Sequence, residues 1–290
     1  MAKDLARLRG SAPGGVVCPL CLAEYTQQNL EDHTLTEEHC VPQSVGGRIT
    51  ILTCKKCNNT DGSVVESHVK SFLSMLDWFE GLSEGRADLH LPEGHVGANL
   101  LWTAGTPDEP RTIKVVKKAS RQAGVEELQR LISSKGKFNL TINFGVNAQK
   151  CRRGLVRAAY LCLVARDGYE YVFSGSAEGV RKLINGARET LPIGILEVAP
   201  LLVFSEHFVA IPLATVGFPQ VLLVVLRLTL EKERYFGVLL PAEGTSSLEA
   251  IAGLAESLAG KLLEGAGADG KIIYRMVLGS DPLDIPSCRV

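Results

Sequence analysis

The sequence predicts an α+β protein in which a small cysteine-stabilised module at the N-terminus precedes a larger α+β domain. Four of the eight cysteines form two C-x-x-C pairs within the first 57 residues, which is typical of a compact metal-braced module. From residue 111 onward, strand-like and helix-like segments mix along the chain, which is the pattern of an α+β domain. The length of 290 residues, 46% of them hydrophobic, is sufficient for both parts.

Changes in composition predict four segments. Residues 1–14 end in a Gly/Pro/Ser cluster and are predicted to be a flexible N-terminus. Residues 15–85 form the cysteine-bearing module. Residues 86–110, which are rich in Gly, Pro, Asp and His, are predicted to be a linker in which only residues 98–103 are ordered. Residues 111–290 form the α+β domain.

Hydrophobic periodicity predicts the elements of the module. Residues 35–39 and 49–53 are predicted strands, and residues 63–82 are a predicted helix. Ser63 and Glu66 form a capping-box pattern at the start of that helix. In the larger domain, residues 169–173 resemble a strand, whereas residues 148–165, 177–188 and 247–263 resemble helices.

The formal net charge of −1 conceals a strong asymmetry along the chain. Residues 1–110 carry −7, residues 111–157 carry +10 and residues 158–290 carry −4. A basic block of this kind suits a polyanion, because each neutralised phosphate releases condensed counterions. The alternative is that these residues scatter over a solvated face. The candidate nucleic-acid contacts are Lys55, Lys56, Lys114, Lys117, Lys118, Arg121, Arg152, Arg153 and Arg157.

The apolar segments argue against a membrane protein. Charge or proline interrupts each run well before the roughly 20 residues that cross a bilayer. The N-terminus has no apolar stretch after its basic residues, so it is not a secretory signal. The cysteine spacing favours metal binding in a reducing compartment over disulfides, and we expect a cytoplasmic location.

The cysteine pairs predict a structural zinc site. Cys18, Cys21, Cys54 and Cys57 supply four thiolates from two tight turns. Four thiolates complete a tetrahedral shell and leave no position for substrate, so the metal would hold the module together. The alternative is four unrelated buried cysteines.

Between the pairs lies the run Glu37-Glu38-His39-Cys40-Val41-Pro42, followed by Gly46-Gly47 and then by Cys54-Lys-Lys-Cys57-Asn58-Asn59. From Cys18 to about Glu66 the chain resembles the HNH endonuclease family, in the zinc-braced, treble-clef-like group with a ββα-metal motif. The resemblance implies a metal-dependent endonuclease, a phosphodiester hydrolase whose expected substrate is DNA.

Phosphodiester hydrolysis requires an activated water and a cation that neutralises developing charge. A histidine can be neutral at physiological pH and accept a proton from water, so His39 is the predicted general base. The resemblance implies that Glu38 and Asn58 hold a catalytic Mg²⁺ or Mn²⁺ ion, as oxygen donors do. All three are therefore predicted catalytic residues.

Three positions depart from the family pattern. Many relatives have Asp at the position of Glu38 and His at the position of Asn58. The family's middle Asn has no counterpart near Arg48, which leaves the group that orients His39 open. The runner-up interpretation is therefore a non-catalytic treble-clef zinc module that binds nucleic acid or protein. Asn59 is either a partner of the site or a helix cap.

Overall fold

The computed structural model of the protein describes the ranges 15–59, 63–91, 94–103, 112–118, 133–134, 139–142, 144–186, 195–200, 207–213, 220–242, 254–260, 262–266 and 272–278, with the single residues 126, 130, 218 and 251. Contacts divide the chain into two units. The first comprises residues 1–69, 148–229 and 233–286, and the second comprises residues 70–147, 230–232 and 287–290. The predicted N-terminal segment 1–14 lies outside the described residues.

The first part of the chain contains two short antiparallel ladders. Strands β1 and β2 frame the first cysteine pair, and strands β3 and β4 connect it to the second. The elements are β1 (Val16–Val17), β2 (Glu24–Tyr25), α1 (Gln27–Glu31), β3 (Leu35–His39), β4 (Thr50–Cys54), α2 (Lys55–Cys57) and α3 (Ser63–Phe79). The structure confirms the predicted strand at residues 35–39 and the helix start at Ser63.

The larger α+β part pairs a helical layer with a six-stranded antiparallel sheet. The helices are α4 (Ala148–Asp167), α5 (Tyr169–Val172), α6 (Gly175–Ile184) and α7 (Leu254–Leu258). The strands are β9 (Ile195–Pro200), β10 (Phe208–Pro212), β11 (Val221–Thr229), β12 (Glu233–Pro241), β13 (Leu262–Ala266) and β14 (Ile272–Leu278), in the order β10-β11-β12-β9-β14-β13. Mixed helix and sheet is the predicted fold class.

Helix α4 lies at the centre of the first unit. Every residue from Leu155 to Val164 is buried, although a helix on a protein surface has one polar face. Strands β11 and β12 contact the helix, as does β4 of the cysteine-bearing segment. Its position between these two layers explains why it is buried all round.

The structure differs from the sequence prediction between residues 86 and 110. Strands β5 (Glu84–Leu91) and β6 (Gly94–Thr103) occupy most of the predicted linker and pair antiparallel. With β7 (Thr112–Lys118) and β8 (Asn139–Ile142) they form a four-stranded sheet in the order β7-β6-β5-β8. Residues 104–111 lie outside the described part of the chain.

Two segments adopt other secondary structure than the sequence pattern favours. Residues 169–172 form helix α5 instead of a strand, because the aromatic side chains of Tyr169 and Tyr171 are held by tertiary contacts. In the segment predicted as helix 247–263, the described part contains helix α7, a left-handed Gly260 and then strand β13. No helix in the described ranges is both long and apolar enough to cross a bilayer.

Candidate metal centre and active site

The four cysteines of the two C-x-x-C pairs form one cluster. Their Sγ atoms all lie within 4.8 Å of one another, and the Sγ atoms of Cys21 and Cys54 are 3.7 Å apart. Zinc–thiolate bonds of about 2.3 Å in a tetrahedron separate the sulfurs by roughly 3.8 Å. The cluster therefore fits a zinc ion. Hereafter Cys18, Cys21, Cys54 and Cys57 are called the cysteine cluster.

Local backbone geometry turns the thiols toward one another. The Cys54 N–H donates to the sulfur of Cys18 at 3.4 Å, and the Cys57 N–H donates to the sulfur of Cys54 at 3.4 Å. Leu22 has a positive φ of 62°, and its N–H donates to the Cys18 carbonyl, which closes the first turn. N–H donors aimed at sulfur favour the thiolate form that a metal requires.

The protonation of the cysteine cluster is uneven. The hydrogen bond from the Cys57 thiol, helped by backbone N–H groups, lowers the pKa of Cys18 to about 5. The same hydrogen bond raises the pKa of Cys57 well above its usual range, and burial raises the pKa of Cys21 to about 11. One sulfur thus already favours the anionic form that a bound cation would impose on all four.

Helices α4 and α5 hold the first cysteine turn from outside, and Asn185, just after α6, donates to the Leu20 carbonyl at 3.3 Å. The Tyr160 hydroxyl donates to the Pro19 carbonyl at 2.7 Å. The Tyr169 hydroxyl donates to the Val17 carbonyl at 2.8 Å and accepts from the Val17 N–H at 3.0 Å. These buried hydrogen bonds assign Tyr169 to packing.

The hairpin of β3 and β4 separates the neighbouring residues Glu38 and His39. Successive side chains of a strand point to opposite faces. Glu38 is paired with Ile51 and is only 3% exposed, whereas His39 is paired with Thr50 and is half-buried. The cation ligand and the base predicted from the sequence therefore start from opposite faces of β3.

Both carboxylate oxygens of Glu38 have hydrogen-bond donors. Arg157, from helix α4, contacts Oε1 through Nε at 3.0 Å and also through Nη2. Thr53, on β4, donates its hydroxyl to Oε2 at 2.7 Å. We call Glu38, Thr53 and Arg157 the Glu38 clamp. An ionised carboxylate has about four acceptor positions, so the clamp leaves one on Oε2.

Asn58 is held against β3 by its side-chain nitrogen. Nδ2 donates to the Thr36 hydroxyl at 3.1 Å and to the Glu37 carbonyl at 3.3 Å. Thr36 lies two residues before Glu38 and therefore on the same face of the strand. These bonds leave Oδ1 of Asn58 as the atom that suits a cation. Asn59, which follows Asn58, is exposed.

Glu66, in the first turn of α3, shares the electrostatic environment of the clamp. Burial raises the pKa of Glu66, and the Glu38 carboxylate raises it further, while Arg157 and His39 oppose the shift. The sequence pattern identifies Glu66 only as a residue of the capping box at the start of α3. Its approach to Glu38 and His39 depends on where α3 packs, which the capping pattern does not show.

Steric constraints require glycine at positions 46 and 47, in the loop before β4. Gly46 has a φ of 94°, a conformation that disfavours a Cβ atom. A Cβ atom on Gly47 would lie 1.7 Å from the Val41 carbonyl oxygen, inside any possible contact. The loop that follows His39 can therefore fold back on itself only with glycine at these positions.

The predicted nucleic-acid contacts divide into different environments. Lys55 and Lys56 are exposed in helix α2, between the cysteines of the second pair. Arg157 is 3% exposed in the clamp, and Arg153 donates to the Ile184 carbonyl at the end of α6. Arg152 is half-buried. Lys114, Lys117 and Lys118 belong to β7, but their side chains, like all of Arg121, lie outside the described part.

Among the described residues, the cysteine cluster is the only group of three or more His, Cys, Asp or Glu ligand atoms this close together. A cation at Glu38 would therefore depend on the Asn58 amide oxygen, water and substrate. This donor set of oxygens is what Mg²⁺ and Mn²⁺ accept.

Comparison with known proteins gives one finding. A family model described as HNH endonuclease matches residues 18–73. The matched segment includes the cysteine cluster, Glu38, His39, Asn58 and Glu66, and it ends before Arg157. No curated protein and no solved structure matches the chain.

Proposed function

We propose, from the match of residues 18–73 to the HNH endonuclease family model, that this protein is a metal-dependent endonuclease. It hydrolyses phosphodiester bonds in nucleic acid, with DNA as the expected substrate and the cytoplasm as the expected location. The observation that carries the proposal is the Glu38 carboxylate, which retains one acceptor position, with half-buried His39 next to it in the chain on the opposite face of β3.

His39 acts as the general base. It is the last residue of β3, next to the tight loop that Gly46 and Gly47 permit. Its side chain is half-buried, so it retains access to water while the surrounding protein limits its motion. A positioned base of this kind takes the proton from the attacking water and contributes about 10²–10⁴-fold to the rate.

Glu38 and Asn58 hold the catalytic divalent cation through oxygen atoms. The free acceptor position on Oε2 of Glu38 and the Oδ1 atom of Asn58 support this assignment. A bound Mg²⁺ or Mn²⁺ ion neutralises negative charge on the phosphate. Two protein ligands leave most coordination positions to water and substrate, which suits a cation that must engage the scissile group.

The cysteine cluster binds zinc as a structural ion. It has no free coordination position. Backbone N–H groups donate to two of its sulfurs, and tyrosines of α4 and α5 hold the backbone of the first cysteine turn. Its role is to hold helix α2, which carries Lys55, Lys56 and Asn58, against strand β3.

Basic side chains hold the substrate. Exposed Lys55 and Lys56 lie beside Asn58 in the chain and can contact the phosphates that flank the cleaved bond. Lys114, Lys117, Lys118, Arg121 and Arg152 remain predicted contacts. Arg153 and Arg157 already donate to internal acceptors, and we leave them out of this surface.

The test compares cleavage by wild-type protein, His39→Ala and His207→Ala. His207 is also half-buried and precedes β10, so it serves as a matched control. Supercoiled plasmid, single-stranded DNA and RNA are each incubated with Mg²⁺ or Mn²⁺. The added cation is removed by desalting instead of strong chelation, so that tightly bound zinc remains in place.

We expect cation-dependent cleavage by wild type and His207→Ala, with a loss of about 10²–10⁴-fold in His39→Ala. Equal rates for all three proteins would reject His39 as the base. Cleavage of RNA alone would change the substrate assignment. Absence of cleavage on every substrate would favour a non-catalytic zinc module that binds nucleic acid or protein. The hydrogen bonds that Glu38 already accepts from Arg157 and Thr53 are the observation that favours this alternative.

A further inference from the structure

Arg157 contacts the two sides of the proposed cation site at once. It belongs to helix α4, outside the family-matched segment, and is only 3% exposed. Its guanidinium contacts Oε1 of Glu38 through Nε and Nη2. The same Nη2 atom donates to the Cys57 carbonyl at 3.0 Å.

The Cys57 carbonyl belongs to the peptide bond that leads into Asn58. One planar guanidinium therefore connects the Glu38 carboxylate on β3 to the backbone that carries Asn58 at the end of α2. Arginine suits this position because its N–H donors form a rigid fork, whereas a lysine ammonium is a point charge on a flexible stem. The guanidinium therefore fixes the distance between the Glu38 carboxylate and the Cys57 carbonyl and also supplies a positive charge beside Glu38.

The clamp also determines which part of the carboxylate is free. Arg157 occupies Oε1 twice, and Thr53 occupies one position on Oε2. The remaining acceptor position allows Glu38 to bind a cation through one oxygen only. Without Arg157, the buried carboxylate would keep only the Thr53 hydrogen bond and would lack its counter-charge.

The orientation that gives Arg157 these hydrogen bonds leaves one of its nitrogen atoms unpaired. Its Nη1 atom is buried and has no hydrogen-bond partner among the described residues. Buried polar groups are nearly always paired, because an unpaired donor costs free energy. The orientation of the fork thus follows Glu38 and the Cys57 carbonyl instead of satisfying every N–H group.

We infer that Arg157 is a positioning residue of the active site, which fixes Glu38 relative to Asn58 so that both can hold one divalent cation. The inference rests on the proposed function. It extends the active site beyond the family-matched segment, because the helix that carries Arg157 begins 75 residues after that segment ends. The competing interpretation is an ion pair that stabilises the fold without affecting the cation.

The experiment measures two quantities on zinc-loaded, full-length protein. The first is Mn²⁺ binding, followed by the loss of the free-ion electron paramagnetic resonance signal. The second is kcat and KM for cleavage of the best substrate. The variants are Arg157→Lys, Arg157→Met, Glu38→Gln and Glu38→Gln/Arg157→Lys, all studied at low temperature after near-UV circular dichroism has verified folding.

Arg181→Lys is the matched control. Arg181 is another buried arginine, 7% exposed, and it donates to the Val172 carbonyl in the helical layer. This variant reports what the loss of a buried guanidinium does to stability alone. We expect it to unfold at a lower temperature while Mn²⁺ affinity and kcat stay at the wild-type level.

For Arg157→Lys we expect Mn²⁺ affinity and kcat to fall by about 10–100-fold, as for other residues that orient metal ligands, with little change in KM. Arg157→Met should lose at least as much; if it does not fold, Arg157→Lys alone decides. In the Glu38→Gln background, Arg157→Lys should cause no further loss, because the residue that it positions has already lost its charge.

Wild-type Mn²⁺ affinity and kcat in folded Arg157→Lys would overturn the positioning role and leave the proposed function standing. Losses that add to those of Glu38→Gln would overturn it as well, because Arg157 would then act independently of Glu38. Mn²⁺ binding that weakens in Arg157→Lys, without cleavage by wild type, would support the positioning role and reject the nuclease. A wild-type protein that neither binds Mn²⁺ nor cleaves would overturn both.

Discussion

The cysteine cluster and the Glu38 clamp both include residues of the β3–β4 hairpin but are built in opposite ways. The cluster takes its ligands from two short turns, and each pair of cysteines is separated by only two residues. The clamp brings together β3, β4 and helix α4, with Arg157 119 residues from Glu38. The cluster is a complete ligand set, whereas the clamp leaves one acceptor position open.

This difference separates the two metals in the proposed function. A closed set of four thiolates can stabilise a fold but cannot accept a substrate. A carboxylate with one open position can bind a cation that still exchanges water and phosphate. Long-range contacts suit the second task, because packed helices and strands set a geometry more precisely than a single turn does.

Loss of one cysteine of the cluster should have the largest effect of the variants considered for this comparison. Cys54→Ser removes a thiolate that also accepts the Cys57 N–H. Structural zinc contributes on the order of 10 kcal/mol to the folding of small zinc domains. We expect loss of bound zinc, a much lower thermal midpoint and no cleavage, measured by metal analysis, circular dichroism and the plasmid assay.

Cys151→Ala is the control for that variant, because Cys151 is fully buried in α4 and is not part of the cluster. It should keep its zinc and its cleavage activity despite some loss of stability. Cys54→Ser protein that retained a full equivalent of zinc and its fold would contradict a four-thiolate structural site.

An intermediate effect is expected at the loop that joins the two strands of the hairpin. In Gly47→Ala the new Cβ atom would meet the Val41 carbonyl oxygen at 1.7 Å, so the backbone must move. We expect a loss of more than about 1 kcal/mol in the free energy of unfolding and slower cleavage, with zinc content unchanged. Urea unfolding and metal analysis provide the measurements.

Gly175→Ala, at the start of α6, is the matched substitution, because a Cβ atom there meets nothing within 4 Å. It should be neutral or stabilising by up to about 1 kcal/mol, since alanine favours a helix more than glycine does. Equal stability of the two variants would show that the close approach at Gly47 does not exist in solution.

The smallest effect concerns the pH dependence of stability near the clamp. Burial and the Glu38 carboxylate raise the pKa of Glu66 above its ordinary value of 4.5. The folded protein therefore binds more protons than the unfolded chain between 4.5 and the raised pKa, and wild-type stability falls as pH rises through that window. Glu66→Gln should become progressively more stable relative to wild type over the same range.

Glu178→Gln tests a carboxylate whose effect on the pH dependence of stability has the opposite sign. A hydrogen bond from Lys182 lowers the pKa of Glu178, so its contribution is present above the ordinary value and is lost as pH falls through the lowered value. Urea unfolding from about pH 3 to pH 8, without added divalent cation, measures both variants. A pH-independent difference between Glu66→Gln and wild type would exclude a raised pKa for Glu66.

Local patterns were sufficient for several elements. Residues 35–39 were predicted to be a short strand and form β3, and the capping pattern at Ser63 predicted the start of α3. The same reasoning failed for residues 169–172, where an aromatic, strand-like pattern forms a helix because Tyr169 reaches Val17. It also failed for the predicted linker, where glycine-rich and histidine-rich stretches pair as β5 and β6.

The sequence by itself determined the cysteine cluster and the family resemblance, because ligand spacing and a short motif are encoded within a few residues of each other. Only the tertiary structure decided what happens to Glu38 and Arg157. From the sequence, Arg157 was predicted to be one of the basic residues that contact phosphate. In the structure it is buried against the Glu38 carboxylate of strand β3. The residue type gives the charge of a side chain, but its burial and its ion-pair partner depend on which surfaces pack together.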